Sequence, residues 1–501
     1  MKKTGIAAVV LGTIGIAACG GAWYTGTQLE QVLHNMVAEG NAELAEALPG
    51  LGMQMELVTF ERGLFSSTAR YQLSVQEGED DEPVPVLFST DRIEHGPLPL
   101  SRLTSLKLWP VMAASHSQLE RSEMLEPLFA SSTDASPLTA YTVLGYDERM
   151  WGTFNISPLT FTRDELEVSF SGMEVDYTTD LQASNIKLDG SFDSLRVSAQ
   201  STPPFVLSLS GAQLQMDKHL GEGGFYLGDG RLALEQWDLI LPDGGTLVMT
   251  DFSQEDSMRE ENGQLAGELT YKQGKISYEG QELGSLNADW SYAQLDVAAL
   301  SELNDIYNQL IFGSADEQAM ERLQAAIAAL LEGNPQINLD SFQLRTANGQ
   351  SELSLALELG QTSALTLDPM ALAMELITRL EARLQLSRPM LRDLTMLKLV
   401  FQPHLDPEQV AFEADMFAEM VAEMAVAMNL ATKQGEENIV SELAYADGVI
   451  NLNGEELPPE ALASLFGMMV PGAAAEQPPE TEFDFDNDDE LMQWLEEQMQ
   501  E

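Results

Sequence analysis

Phe205-Val206-Leu207-Ser208-Leu209-Ser210 decides the fold, because Phe205, Leu207 and Leu209 alternate with smaller or polar residues. A period of two places apolar side chains on one side of an extended strand. The pattern continues outward in both directions. Upstream, Ile186, Leu188, Leu195 and Val197 belong to a strand. Before them, Val168 and Phe170 share a face, and Met173, Val175 and Tyr177 resume after Gly172. That phase slip predicts a bulge at the glycine. Downstream, Leu232, Leu234 and Leu239 continue the theme, and Asp243-Gly244-Gly245 marks a turn. Leu269, Tyr271, Ile276 and Tyr278 flank Gly274 and predict a hairpin there. From about Leu138 to Trp290 the chain therefore reads as successive short strands in an antiparallel meander. One apolar face of such a sheet must be covered.

Strands also flank this region. Met53, Met55 and Leu57 alternate with Gln54 and Glu56, Gly63 allows a turn, and Phe65 to Val75 returns. Gly78 to Pro85 is an acidic loop, and Leu87 to Ile93 is a further strand. Ser105 to Leu125 is ambiguous and accommodates a helix before Pro127. Beyond Trp290, Leu300, Leu303, Ile306, Tyr307 and Leu310 keep helical spacing, and a second helix runs from about Glu317 to Leu331. Ile337 to Leu344 and Leu353 to Leu359 are strands joined across Asn348-Gly349. Pro369 to Leu376 reads as a short helix and Leu380 to Leu386 as a strand. Pro407 fits the first turn of a long helix through Ala431. Its methionines Met416, Met420, Met424 and Met428 recur every fourth residue. Such a stripe is either a core-facing ridge or an adaptable surface for an apolar ligand. A hairpin around Asp447-Gly448 follows, then a helix opening at Pro458 or Pro459 with Leu462, Leu465 and Phe466 on one side.

The chain opens with Lys2 and Lys3, and no charge follows until Glu30. Thr4 to Tyr24 is an apolar run of spanning length, with Trp23 and Tyr24 at the outer end where aromatic rings favour the headgroup level. The positive end stays cytoplasmic, so the bulk is expected beyond the inner membrane, in the periplasm. Ile16-Ala17-Ala18-Cys19 also fits the box at which bacterial lipoproteins are cut and acylated on cysteine. An uncleaved anchor, lipidation at Cys19 and plain cleavage all give the same topology.

The sequence has 501 residues, 44% of them hydrophobic, which suffices for a packed core. Cys19 is the single cysteine, so the exported part forms no internal disulfide and has no thiol chemistry. The formal charge is −55, from 80 acidic against 25 basic residues. A field of that sign repels nucleic acid and anionic lipid surfaces. The carboxylates are scattered along the whole chain, which favours a solubilising surface over a dedicated cation site.

The five histidines, His34, His95, His116, His219 and His404, have no metal-ligand spacing. Nucleophile-elbow and phosphate-loop motifs are missing. Asp484, Asp486, Asp488 and Asp489 lack the turn glycine and distal Glu of an EF-hand loop. His95-Gly96-Pro97 is the one compact motif. Its positional preferences point to a turn that the histidine caps.

Certain short segments resemble the YdgA-like family of bacterial inner-membrane-anchored periplasmic proteins. They are Gly20-Gly21-Ala22-Trp23-Tyr24-Thr25-Gly26, Glu61-Arg62-Gly63-Leu64-Phe65-Ser66-Ser67 and His95-Gly96-Pro97-Leu98-Pro99-Leu100. Tyr445-Ala446-Asp447-Gly448 and Asn451-Leu452-Asn453-Gly454 complete the set. The resemblance runs to about Met469 and implies no catalytic residues.

The expected architecture is α+β: an N-terminal membrane helix, then a long, curved, mainly antiparallel β-sheet with packed helices. The expected segments are an anchor over 1–28, a helix plus sheet over 29–300, a mixed helical and β region over 301–470 continuing the same body, and an acidic disordered tail over 471–501. The expected role is non-enzymatic and needs no cofactor or metal: a tethered envelope protein binding a lipid, another apolar ligand or a partner protein along the sheet. A self-associating assembly factor and an unrecognised hydrolase are the alternatives. An apolar groove, an exposed dimer face and a deep polar pocket would respectively favour the three.

Overall fold

The computed structural model describes residues 33–34, 37–38, 40–41, 52–63, 65–76, 83–163, 166–199, 205–240, 245–311, 319–361, 376–402, 404–446 and 448–457. The anchor segment, Cys19, the helix expected at Pro369, the helix expected after Pro458 and the acidic tail lie outside them. Among the described residues no helix is long and apolar enough to cross a membrane.

The body is a mostly antiparallel 22-stranded sheet with few helices. Its first strands are β1 (Met53–Arg62), β2 (Ser66–Val75), β3 (Val84–His95), β4 (Ala113–Leu119), β5 (Leu138–Leu144) and β6 (Arg149–Ile156). Each pairs antiparallel with the next. Two short strands, β7 (Leu159–Arg163) and β8 (Leu166–Phe170), follow, and then β9 (Met173–Asp180). β6 pairs with β9, and β7 with β8. The pairs act as one hairpin bent at Pro158 and Gly172, because β10 (Asn185–Ala199) runs beside both β9 and β8. Gly172 has φ +89°, and a Cβ there would lie 2.9 Å from the Ile156 carbonyl oxygen. This is the bulge that the phase slip predicts.

Long strands come next: β11 (Phe205–Leu220), β12 (Tyr226–Ile240), β13 (Thr246–Glu261), β14 (Gln264–Tyr278) and β15 (Gln281–Asp296). With β10 they run 15 or 16 residues each, not the short segments expected. Gly274 is not a hairpin turn. It sits inside β14, where the register shifts between Gln273 and Ile276, and an added Cβ would lie 2.7 Å from the Asp251 Cβ on β13. The chain needs glycine there for close approach, not for reversal.

The reason short segments were expected is a change of phase within each strand. In β11 the apolar positions are Phe205, Leu207 and Leu209, then Ala212, Leu214 and Met216. In β12 they are Leu232 and Leu234, then Trp237 and Leu239. The pairings run straight through, with Leu214 opposite Leu232 and Leu209 opposite Trp237. Left-handed backbone at Gly211 (φ +63°) and Asp251 (φ +57°) marks the line where alternation resets. Side chains from both halves still meet on one side. Trp237 Nε1 donates to Gln273 Oε1 at 3.3 Å, and the Phe170 and Phe192 rings meet edge-on at 5.5 Å.

Two helices, Val297–Ile311 and Ala319–Glu332, pack on each other and on β15. The sheet then resumes, β15 pairing with β16 (Gln336–Arg345), followed by β17 (Gln350–Leu359) and β18 (Ile377–Ser387). Helix Arg388–Met396 packs on β18 and supports helix Pro407–Ala427. Asp406 caps the latter, its carboxylate accepting from the Glu408 amide at 3.0 Å. The strands β19 (Thr432–Gln434), β20 (Asn438–Ala446), β21 (Val449–Leu452) and β22 (Glu455–Leu457) close the sheet. No helix forms in the ambiguous 105–125 stretch. Its middle is β4, whose alternating buried residues Ala113, Ser115, Ser117 and Leu119 fit a strand paired on both edges.

At the N-terminal end, helical residues Leu33 and Val37 pack into a core with Met55, Leu57, Tyr71, Ile93 and Met112. The Asn41 side chain donates to the Met55 carbonyl (2.8 Å) and accepts from the Met55 amide (2.7 Å). It thus occupies both backbone groups of one residue on the outer strand β1, which blunts an edge open to strand addition.

Candidate functional site

The register places one apolar face along almost the whole sheet. Directly paired residues share a face. Following the pairs and their next-but-one neighbours from β10 gives Leu188, Met216, Leu214 and Leu232, then Phe252, Tyr271, Leu269 and Trp290, with Gln254 and Gln273 interspersed. Across β16 to β18 the row passes through Leu339, Leu355 and Ala382, and reaches Leu443 on β20. Polar residues such as Lys187, Asp217, Arg231, Glu255 and Thr270 occupy the other face.

Packing on this apolar face is uneven. Helix Val297–Ile311 sets Val297 and Leu300 in a cluster with Leu227, Met258 and Leu265 at one end of the strands, and among the described residues no helix makes extensive contact with the rest of β10 to β13. Leu214, Met216, Leu234, Phe252 and Leu269 are half-buried, while Leu232 is 38% and Trp290 40% exposed. An uncovered apolar row of this length is a surface for something apolar. An ion pair within it, Lys218 to Asp256 at 2.6 Å, reaches across β12 above Gly228 and Gly230. A Cβ at Gly230 would lie 2.3 Å from Asp256 Oδ1, so the glycine keeps room for that carboxylate.

The opposite face carries the open clefts. One, of about 680 Å³, is floored by β9 to β14 and lined by Asp189, Gln215, Asp217, Arg231, Glu255 and Thr270. Many of its charges are matched, as in Lys187 with Asp217 (2.6 Å) and Arg231 with Glu255 (3.1 Å). A second, of about 880 Å³, lies between Trp109, Tyr146 and Trp151. Among the described residues no group of three or more His, Cys, Asp or Glu side chains is placed to hold a metal ion.

The methionine stripe is not core. Met416, Met420, Met424 and Met428 are between 52% and 56% exposed. The buried ridge of the Pro407–Ala427 helix is Val410, Ala414, Ala418 and Ala422. The small residues let this helix approach its neighbour closely and turn the larger side chains outward. Phe412 and Phe417 extend the exposed stripe. The methionines line none of the clefts described above.

The His95 motif closes a turn, and the fold brings it against the other N-terminal family segment. The His95 amide donates to the Phe65 carbonyl at 2.9 Å, and His95 Nε2 lies 3.0 Å from Ser67 Oγ. The Gly96–Pro97 bond is cis. Burial, then the positive charge of Arg62, hold the imidazole below its usual pKa. Ser67 is 1% exposed, which leaves a substrate no route to its hydroxyl. The pair is therefore structural, and the hydrolase alternative gains nothing from it.

Asp91 escaped notice in the sequence. It lies on the buried face of β3, two residues before Ile93, and is 1% exposed. Oδ1 accepts from Ser115 and from Ser117 (3.0 Å), while Oδ2 has no partner among the described residues. Burial pushes its pKa up to about 7, against the downward pull of the two hydroxyls. The only signal in the sequence was an Asp on the apolar phase of a strand, facing serines on the apolar phase of the next.

A model of the family described as "Bacterial protein of unknown function (DUF945)" matches residues 1–460, and the chain belongs to that family. It is 26% identical to Protein YdgA of Escherichia coli (strain K12) over 492 residues, covering 93% of this chain and 97% of that protein. It is 23% identical to the uncharacterized protein YihF of the same strain over 484 residues, covering 90% and 96%. An uncharacterized protein of Haemophilus influenzae is 30% identical over 148 residues, 29% of this chain and 40% of its own length.

Proposed function

We propose that this chain is an envelope protein, tethered to the inner membrane by its N-terminal segment, that holds an elongated apolar ligand along the uncovered face of a curved sheet. A lipid acyl chain fits the surface chemically. The role is binding, not catalysis. The observation that carries it is the mainly apolar row from Leu188 to Leu443, half-exposed where the strands are longest. The apolar run Thr4–Tyr24 after Lys2 and Lys3 supports the tether and the periplasmic side.

Mass spectrometry of the detergent-extracted full chain tests this reading. Co-purifying lipid is expected, and the pair Leu232→Glu and Trp290→Glu should remove it while the fold persists. Retention of the lipid in that folded variant would overturn the proposal.

A second reading, self-association or docking to a partner protein, is favoured by one observation: the exposed Phe412, Met416, Met420 and Met424 stripe. Loss of an oligomer in Met420→Lys with Met424→Lys, at unchanged lipid content, would support it.

A further inference from the structure

One end of the sheet carries a rim of exposed apolar side chains. Three connections meet there. The β1–β2 turn is tied to the end of β3 by the bond from His95 N to Phe65 O. The 96–112 connection leaves β3 at His95 and enters β4 at Ala113, opposite Leu144. The β5–β6 turn is held by the bond from Gly145 N to Arg149 O, beside the Met112 amide, which donates to Leu144 O at 2.8 Å. From these connections Phe65, Leu100, Leu106, Leu108, Trp109 and Tyr146 project into solvent. Leu106 is 83% and Trp109 80% exposed.

The chemistry of the rim differs from that of the rest of the chain. Between Glu94 and Glu120 there is no carboxylate, in a sequence with 80 of them. Lys107 supplies positive charge, Arg102 is buried and donates to the Trp109 carbonyl, and in the neighbouring turn Asp147 is held by Arg149 at 2.6 Å beside the exposed Glu148. Leucines with Trp, Tyr and a lysine at the tips of turns are the residue types that enter the headgroup and acyl boundary of a bilayer. A protein-facing patch would more simply be a packed, flat surface with a polar border.

We infer that this rim is a membrane-contact surface: the leucine and aromatic tips of the 96–112 connection insert into the outer face of the bilayer and seat the body on it. The inference rests on the tether reading but goes beyond it, since a tether alone leaves the body free of the surface.

The test uses the full chain with Cys19→Ser and one introduced cysteine carrying an environment-sensitive fluorophore. The chain is reconstituted in phosphatidylethanolamine/phosphatidylglycerol vesicles. With Leu106→Cys, nitroxide on the lipid chains should quench the label at least twofold, and aqueous iodide should quench it little. With Glu123→Cys, an exposed position at the far end of β4, iodide should quench and the lipid nitroxide should not. If the protein floats with vesicles but the label at 106 behaves like that at 123, the rim is refuted and the tether stands. Shielding at 106 from both quenchers would show a protein cover and refute the bilayer. Failure of the chain to float would refute tether and rim together.

Discussion

Strands β3 to β6 and strands β10 to β14 are built alike, as antiparallel ladders with one apolar phase, yet they bury it to different extents. In the first region Ile93, Ala113, Leu144 and Met150 are at most 6% exposed. In the second the matching positions Leu214, Leu234, Phe252 and Leu269 are half-buried. The first region is covered on its face by the helical residues Leu33 and Val37, and the second has no comparable cover among the described residues. An equal hydrophobic pattern thus has two uses. Where a second layer seals it, the pattern is a core. Where none does, it is a surface that keeps apolar side chains accessible. The stability of the protein should accordingly be concentrated at its N-terminal end.

The largest effect should come from truncating the sealed core. Ile93→Ala is expected to cost about 2 to 5 kcal/mol, the usual range for emptying a fully buried aliphatic site. Leu214→Ala should cost at most about 1 kcal/mol, because its side chain gains less from burial to begin with. Urea unfolding of the two variants breaks the comparison if the losses are equal.

A second effect sharpens it through pH. Burial holds Asp91 largely protonated in the fold up to about pH 7, whereas the unfolded chain ionises it near pH 4. Between these values the folded state binds the extra proton, so this group's contribution falls as pH rises and is fully lost above pH 7. The loss is on the order of 2 to 4 kcal/mol. Asp91→Asn should remove that slope, leaving the variant relatively more stable at pH 8 than at pH 4. Parallel stability–pH curves for the two proteins would show that Asp91 ionises freely in the fold.

Much of the antiparallel meander was legible from Phe205, Leu207 and Leu209 and their repeats, because a half-buried face needs a period of two. Strand length was not. Gly274 reads as a chain reversal, since a turn and a glycine inside a strand leave the same local signature. The methionine stripe was legible as a helical ridge but not as an outward one. Helical spacing marks two ridges on the Pro407–Ala427 helix, and the alanines, which carry little hydrophobic weight in a sequence, took the buried one. Asp91 could not be read at all without pairing, because its partners Ser115 and Ser117 lie on another strand.

The smallest effects belong to that helix, where the contrast between sealed and open apolar surface recurs within 21 residues. Ala418 is 5% exposed on the buried ridge, so Ala418→Leu should overpack it at about 1 to 3 kcal/mol. Met420 and Met424 are more than half exposed, and Met420→Lys with Met424→Lys should change stability by no more than about 0.5 kcal/mol. Thermal unfolding at fixed salt separates the cases. Fixed salt matters because a formal charge of −55 makes any added lysine favourable through screening-dependent attraction. If the double lysine variant unfolds as readily as the leucine variant, the methionines are sealed by residues outside the described ones, and the stripe is a core after all. If it keeps its midpoint but loses an oligomeric state in sedimentation, the open ridge is a contact between chains, and accessible methionine on this helix serves assembly while the uncovered sheet face serves the ligand.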